Sequence, residues 1–393
     1  GRPLRSIGRT HKPAKTDRTT AYTGPESVGH QRIYKPMEEK KRIGIVTMPV
    51  RCNYGGALQS YALQYFLRSK GYDPIVIDCR RRATAASACH QWIERNVLYR
   101  HFTAFARQYM HRTPRLTDDA KLRAAAEECA AVIAGSDQVW RLSMIQGVER
   151  HYFLDFVPDA VRRIAYAASF GTDDLEPCDT TLQADLQRLV KRFYAISVRE
   201  DKGIEICRRH WNAEACRVLD PTLLAGREAF DPIARQARPS QGELFYFFLG
   251  DRSSETAHLQ QAAARAGKRA FTVNAGRTLR VSKFAFAFYP PVESWVRAFA
   301  DAEAVVTDSF HGVCFALLYG KPFYVVGNTA GGTSRIRSLL AMTGTEQRYI
   351  TDIASYKDYK QFAAPTIDYT TVWQRLAEER EKSEQFLLNT LPR

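Results

Sequence analysis

The segment Thr307-Asp-Ser-Phe-His-Gly312 gathers a carboxylate, a hydroxyl and an imidazole at the point where the apolar run Ala304–Thr307 gives way to a helical run that Gly320 ends. Asp308 reads as the N-cap of that helix, which sets Ser309 and His311 in its first turn with Gly312 beside them. A helix start disfavours a charged imidazole, whereas a bound phosphate dianion favours one, so a phosphorylated ligand could turn His311 into a proton donor. The bland alternative is a structural histidine. In Ser197-Val-Arg-Glu-Asp-Lys-Gly203, Arg199 stands where a strand yields to a helix and could grip a phosphate or carboxylate bidentately; an ion pair with Glu200 or Asp201 is the competing reading. Gly135-Ser-Asp-Gln-Val-Trp140 offers Asp137 and Gln138 to sugar hydroxyls and Trp140 as an apolar face, unless Ser136 or Asp137 caps a helix and Trp140 fills core. Asn53-Tyr-Gly-Gly-Ala-Leu-Gln59 opens a helix with a glycine pair that lets backbone amides approach an anion or a sugar, or else makes a tight turn. Gly331-Gly-Thr-Ser-Arg-Ile-Arg337 places Arg335 at the positive end of a helix, which an anion would offset.

All five segments follow short apolar strands. From Arg42 the chain alternates strand and helix, with strands at Ile43–Met48, Ile75–Ile77, Ala131–Ala134, Arg163–Ala167, Ala195–Val198 and Arg217–Leu219. A polar, proline-broken stretch near Gly226–Glu243 separates these from strands at Leu244–Leu249, Ala270–Val273, Ala304–Thr307 and Pro322–Val326. Helices are expected at Asp179–Arg192, Ser254–Ala266, Val292–Ala300 and Phe310–Tyr319. The fold class is α/β: two Rossmann-like domains facing a cleft, 42–226 and 227–370, with a helix in 371–393 crossing back to the first. Ligands of such sheets sit at the carboxyl ends of the strands.

Six segments, in order, resemble the polysaccharide pyruvyl transferase family: Asn53–Gln59 with Tyr61-Ala-Leu63, Gly135–Trp140, Tyr166-Ala-Ala-Ser-Phe-Gly171, Ile196-Ser-Val-Arg-Glu200, Val218-Leu-Asp-Pro-Thr222 and Thr307–Gly312. The resemblance runs from about Arg42 to Tyr349 and implies a fold like the GT-B glycosyltransferases. It also implies transfer of a pyruvyl ketal from phosphoenolpyruvate to a sugar of a surface or capsular glycan. It points to Arg199 and His311 as donor-site residues. Other branches carry Arg-Leu where this chain has Ser309-Phe310, so Arg335 or Lys321 is expected to supply the charge. The expected site therefore has His311 as acid and Asp137 as base or sugar contact. Arg199, Ser309, Gly312, Arg335 and Lys321 lie on the donor side, and Asn53, Tyr54, Gly55, Gly56, Gln59, Gln138 and Trp140 on the acceptor side. Phosphoenolpyruvate is a co-substrate in this scheme, and neither cofactor nor metal is required.

Composition narrows the alternatives. The net charge is +15, of which residues 1–42 supply +7, and the basic, apolar-poor stretch 1–41 reads as a flexible tail. Contact of that tail with anionic lipid would suit an acceptor sugar carried on a membrane lipid. Eight scattered cysteines without a C-x-x-C pair read as reduced thiols, and no apolar run reaches a membrane span, which together point to a cytoplasmic protein. A nucleotide-sugar-dependent GT-B glycosyltransferase is the second enzyme reading. A nucleic-acid binder has only the net charge behind it and is not expected.

Overall fold

The computed structural model describes residues 41–81, 93–274, 278–281, 284–327, 333–364 and 366–392. The basic tail, Cys89 and the glycines at 331 and 332 lie outside the described residues. Two parallel sheets carry the fold. Strands β1 (Arg42–Val46), β2 (Asp73–Val76), β3 (Ala131–Ala134), β4 (Arg162–Ala168), β5 (Ala195–Val198) and β6 (Cys216–Arg217) form the first sheet in the order β2-β1-β3-β4-β5-β6. The second is built from β7 (Leu244–Phe247), β8 (Ala270–Phe271), β11 (Ala304–Thr307), β12 (Phe323–Val326) and β13 (Tyr349–Ile350) in the order β13-β12-β11-β7-β8. An antiparallel hairpin of β9 (Thr278–Val281) and β10 (Phe284–Ala287), which the strand-helix alternation does not announce, stands apart.

Strands such as Ala131–Ala134 and Ala304–Thr307 are buried at every residue, as a parallel sheet covered on both faces requires. Several ends fall short of the sequence reading. β1 stops at Val46 rather than Met48, and β6 is only two residues long. Just past the end of β1 the Thr47 hydroxyl donates to the Ser136 carbonyl at 2.8 Å.

The two sheets are not separated by an open cleft along their whole length. One apolar cluster runs from Ile43 and Leu58 through Leu223 and Phe230 to Trp295, Phe315 and Val325 and so includes both halves. The Tyr54–Ser69 helix is central to it: Tyr54 stacks on Trp295 with ring centroids 5.6 Å apart, and the Tyr61 hydroxyl donates to the Ala229 carbonyl at 3.0 Å. The Tyr369–Thr390 helix binds elements of both sheets. Trp373 Nε1 donates to the Leu317 carbonyl at 3.1 Å, while further along Ser383 Oγ accepts from the Leu219 amide at 2.9 Å. No helix among the described residues is long and apolar enough to cross a membrane.

The Ser383–Leu219 bond lies one residue before Asp220 and anchors the end of β6. Ser383→Val leaves the buried Leu219 amide without a partner, and urea unfolding is expected to show a loss of about 1–3 kcal/mol.

Candidate active site

Three loops at the carboxyl edge of the first sheet and one from the second deliver the charged residues to one place. Asp137 follows β3, Arg199 follows β5, Asp220 follows β6, and His311 sits in the first turn after β11. The N-cap of that turn is Ser309, not Asp308: Ser309 Oγ accepts from the Gly312 amide at 3.4 Å. Asp308 instead turns outward from the helix to accept the Leu249 amide at 2.8 Å and to face Arg252 at 3.6 Å. This shift by one residue still leaves His311 at the helix start.

The guanidinium of Arg199 has no solvent exposure. Its Nη2 donates to Asp137 Oδ1 at 3.0 Å and its Nη1 to Asp220 Oδ2 at 2.9 Å. Phe310 lies against it, with the ring centroid 4.5 Å from Cζ, so the phenylalanine at this position lends a π face to the arginine. Neither carboxylate suggested by local sequence is its hydrogen-bonded partner: Glu200 stands 4.0 Å away and Asp201 pairs with Arg217. Asp220 was legible only as part of a Leu-Asp-Pro turn. It is the hub of the cluster, accepting from Arg199, from Ser136 Oγ at 3.2 Å and from the Thr222 hydroxyl at 2.8 Å, and facing His311 Nε2 at 3.5 Å. At that separation the His311 contact is long for a hydrogen bond, and Nε2 has no hydrogen-bond partner among the described residues.

Electrostatics follow from this packing. Burial raises the Asp137 carboxyl, but Arg199, His311 and Arg335 outweigh it and hold the group below its ordinary range. Asp220 is likewise held well below, burial being overcome by His311 and Arg199. Glu200 goes the other way: burial raises it despite Arg199 and Arg335, and its Oε1 accepts from Ser169 Oγ and the Phe170 amide, both at 2.9 Å. Arg335 is pulled down to about 10, by burial first and then by the neighbouring Arg199 charge. It remains protonated at neutral pH. Four buried polar atoms here lack hydrogen-bond partners among the described residues: Arg199 Nε, Glu200 Oε2, His311 Nε2 and Arg335 Nε. Each such atom costs about 1–3 kcal/mol when left unpaired, so their concentration in one place marks a site shaped for a polar ligand.

The glycine pair has a steric purpose. Gly55 packs so closely on His311 that a Cβ there would overlap the imidazole, and Gly56 faces Asp137 Oδ2. Asn53 caps the helix, its Oδ1 accepting the Gly56 amide at 3.0 Å. Gly135, with φ of +125°, brings the backbone onto the Tyr166 carbonyl where no side chain fits, and Asp137 itself adopts φ of +76°.

Several expected contacts belong to the scaffold instead. Trp140 offers no sugar face: it is 1% exposed, stacked on Phe153 at 5.3 Å and met edge-on by Trp211. Tyr54 is enclosed, with its hydroxyl on the Pro290 carbonyl at 3.0 Å. Gln59 is fully buried and ties Thr47 to Gly56, while Gln138 accepts from Arg141 at 3.0 Å. Lys321 precedes β12 and so sits at the opposite edge of the sheet, donating to the Ala300 carbonyl at 2.9 Å; it does not replace the arginine absent at Ser309-Phe310. Arg335 does lie among the charges of Arg199, Glu200 and Asp137.

Two parallel sheets of an α/β fold, each Rossmann-like in its strand-helix alternation, meet over a buried acid-guanidinium-imidazole cluster. The chain belongs to the polysaccharide pyruvyl transferase family, whose model matches residues 53–329. No curated protein sequence matches it. Among solved structures it is similar to Arabidopsis thaliana UGT89C1 complexed with UDP-L-rhamnose, at TM-score 0.49 and 9% identity over 88% of this chain and 96% of that one. It is also similar to the glycotransferase of kitacinnamycin, at TM-score 0.45 and 14% identity over 90% and 100%.

Two outcomes test this geometry. Gly55→Ala is expected to displace the imidazole, to lower turnover by about tenfold or more and to cost about 1–3 kcal/mol of stability through overpacking, read by steady-state rates and denaturant titration. Asp137 and Asp220 have lowered folded-state values, so their stabilisation is present above the ordinary carboxylate range near pH 4 and is lost as pH falls below it. Arg199→Met leaves both charges buried and is expected to cost about 3–5 kcal/mol at pH 7 and less in acid, measured by denaturant titration across pH.

Proposed function

We propose that the chain transfers a pyruvyl group from phosphoenolpyruvate to two hydroxyls of one sugar unit in the assembly of a surface polysaccharide, releasing phosphate. The reading is carried by family membership together with His311, which has an unpaired Nε2 at the carboxyl edge of the second sheet, opposite the Asp220 carboxylate. Phosphoenolpyruvate brings a carboxylate and a phosphate. Arg335, whose Nε is unpaired, is the guanidinium suited to meet one of them, whereas Arg199 is committed to Asp137 and Asp220. Arg199 therefore acts by fixing the two carboxylates, and its donor-side role is indirect.

In this scheme His311 gives a proton to the methylene carbon, and the adjoining carbon becomes electrophilic. One sugar hydroxyl adds there, the bond to phosphate oxygen breaks, and the second hydroxyl closes the ring. Of the two hydroxyl protons, one replaces that lost by His311 and the other leaves with phosphate. Asp220 faces Nε2 at 3.5 Å and so lies beside the imidazole that gives the proton. Asp137, held below its ordinary range, is a weak proton acceptor; its charge serves to orient Arg199 and the first hydroxyl.

The test is phosphate release from phosphoenolpyruvate against a panel of galactosides, mannosamine derivatives and lipid-linked sugars, with mass spectrometry of the products. A gain equal to one pyruvyl ketal on an acceptor is the expected result. Preference for nucleotide sugars, with no release from phosphoenolpyruvate, would replace this reading with glycosyl transfer. His311→Ala is expected to abolish release without unfolding the chain.

A further inference from the structure

Outside the site already described, a relay of three side chains runs from the core to the surface. Cys79, just past the end of β2, sets its Sγ 3.2 Å from His151 Nδ1, and His151 Nε2 lies 2.9 Å from Asp119 Oδ1. Each comes from a different element: Cys79 from the chain leaving β2, Asp119 from the first turn of the helix Asp119–Glu127, and His151 from the short helix Glu149–Tyr152. Their supports are fixed. The Arg80 amide donates to the Leu116 carbonyl and the Leu116 amide to the Asp78 carbonyl, both at 2.9 Å, which pins the backbone on either side of Cys79. Phe156 meets the imidazole edge-on, with ring centroids 6.1 Å apart.

The order of atoms assigns the protons. Asp119 accepts from Nε2–H, which leaves Nδ1 as the lone-pair acceptor for the thiol proton; nucleophile, base and orienting carboxylate thus stand in line. Burial pushes the Cys79 thiol up to about 12, and the Asp78 and Asp155 charges add to this, so the group rests neutral and needs a base at the moment of attack. Cys207 is a control within the same chain: it is also buried and also pushed up to about 12, but no imidazole contacts it among the described residues. Exposure limits the size of the reactant. Cys79 is 5% exposed whereas the Asp119 side chain is 81% exposed, so solvent meets the relay at its outer end and only a small molecule can follow it to the sulfur.

We propose that Cys79 is a peroxide-reactive thiol, oxidised by hydrogen peroxide to a sulfenic acid with His151 as the base and Asp119 as its positioning residue. Nδ1 takes the thiol proton as sulfur bonds to one peroxide oxygen, which keeps its hydrogen. The O–O bond breaks, and the departing hydroxide takes the proton from Nδ1 to become water. Sulfur loses two electrons and the peroxide gains them. This modification site is independent of the function proposed above.

In the test, the full chain is exposed briefly to hydrogen peroxide, the excess is removed with catalase, and the protein is unfolded in dimedone, which marks sulfenic acids for peptide mass spectrometry. Cys79 is expected to be marked about a hundredfold faster than Cys207. His151→Gln is expected to bring Cys79 down to the rate of Cys207. Asp119→Ala, at an exposed position that the fold tolerates, is expected to slow Cys79 by about tenfold. Equal marking of Cys79 and Cys207 in the unsubstituted chain, or a Cys79 rate unmoved by Asp119→Ala, would overturn the proposal. So would modification of Cys79 by glutathione disulfide in place of peroxide, because a reactant of that size requires an open sulfur.

Discussion

A guanidinium without solvent exposure has to be neutralised where it lies, and Arg199 draws in Asp137 and Asp220 to do so. Those carboxylates come from the ends of β3 and β6, on either side of the β5 end that carries the arginine. Three strand ends are thereby fixed relative to one another. Ser136, Thr222 and Phe310 complete the enclosure, so that the orientation of Asp220 toward His311 follows from packing and not from loop conformation.

His311 comes from the second sheet, so the site exists only because the two halves share a core. The bare backbone of Gly55 admits the imidazole, Tyr54 stacks on Trp295, and the Tyr369–Thr390 helix bonds to both halves. A buried cluster with four unpaired polar atoms is costly, and the extended apolar contact between the halves offsets it.

Much of this was legible in the order of residues. β3, β5 and β11 fall at the expected residues because continuous apolar runs bounded by polar turns leave little choice, and the carboxyl-edge location of His311, Asp137 and Arg199 follows from them. What was not legible depends on partners distant in the chain. Asp308 and Ser309 are both good caps, and the Leu249 amide decides between them. Trp140 has the chemistry of a sugar platform, yet Phe153 and Trp211 claim its faces. Arg199 has acidic neighbours in sequence but bonds to carboxylates 62 and 21 residues away. Asp220, hidden in a turn before Pro221, had no local signal apart from its place among the family-like segments.

The account stands on Arg199, Asp220 and His311 acting as one unit in transfer. A double-mutant cycle of Arg199→Lys and Asp220→Asn, read as kcat/KM for phosphoenolpyruvate, measures this directly. The account predicts strong non-additivity, with the double variant no slower than the slower single variant. Losses that simply multiply would show that the two residues act independently and would contradict it.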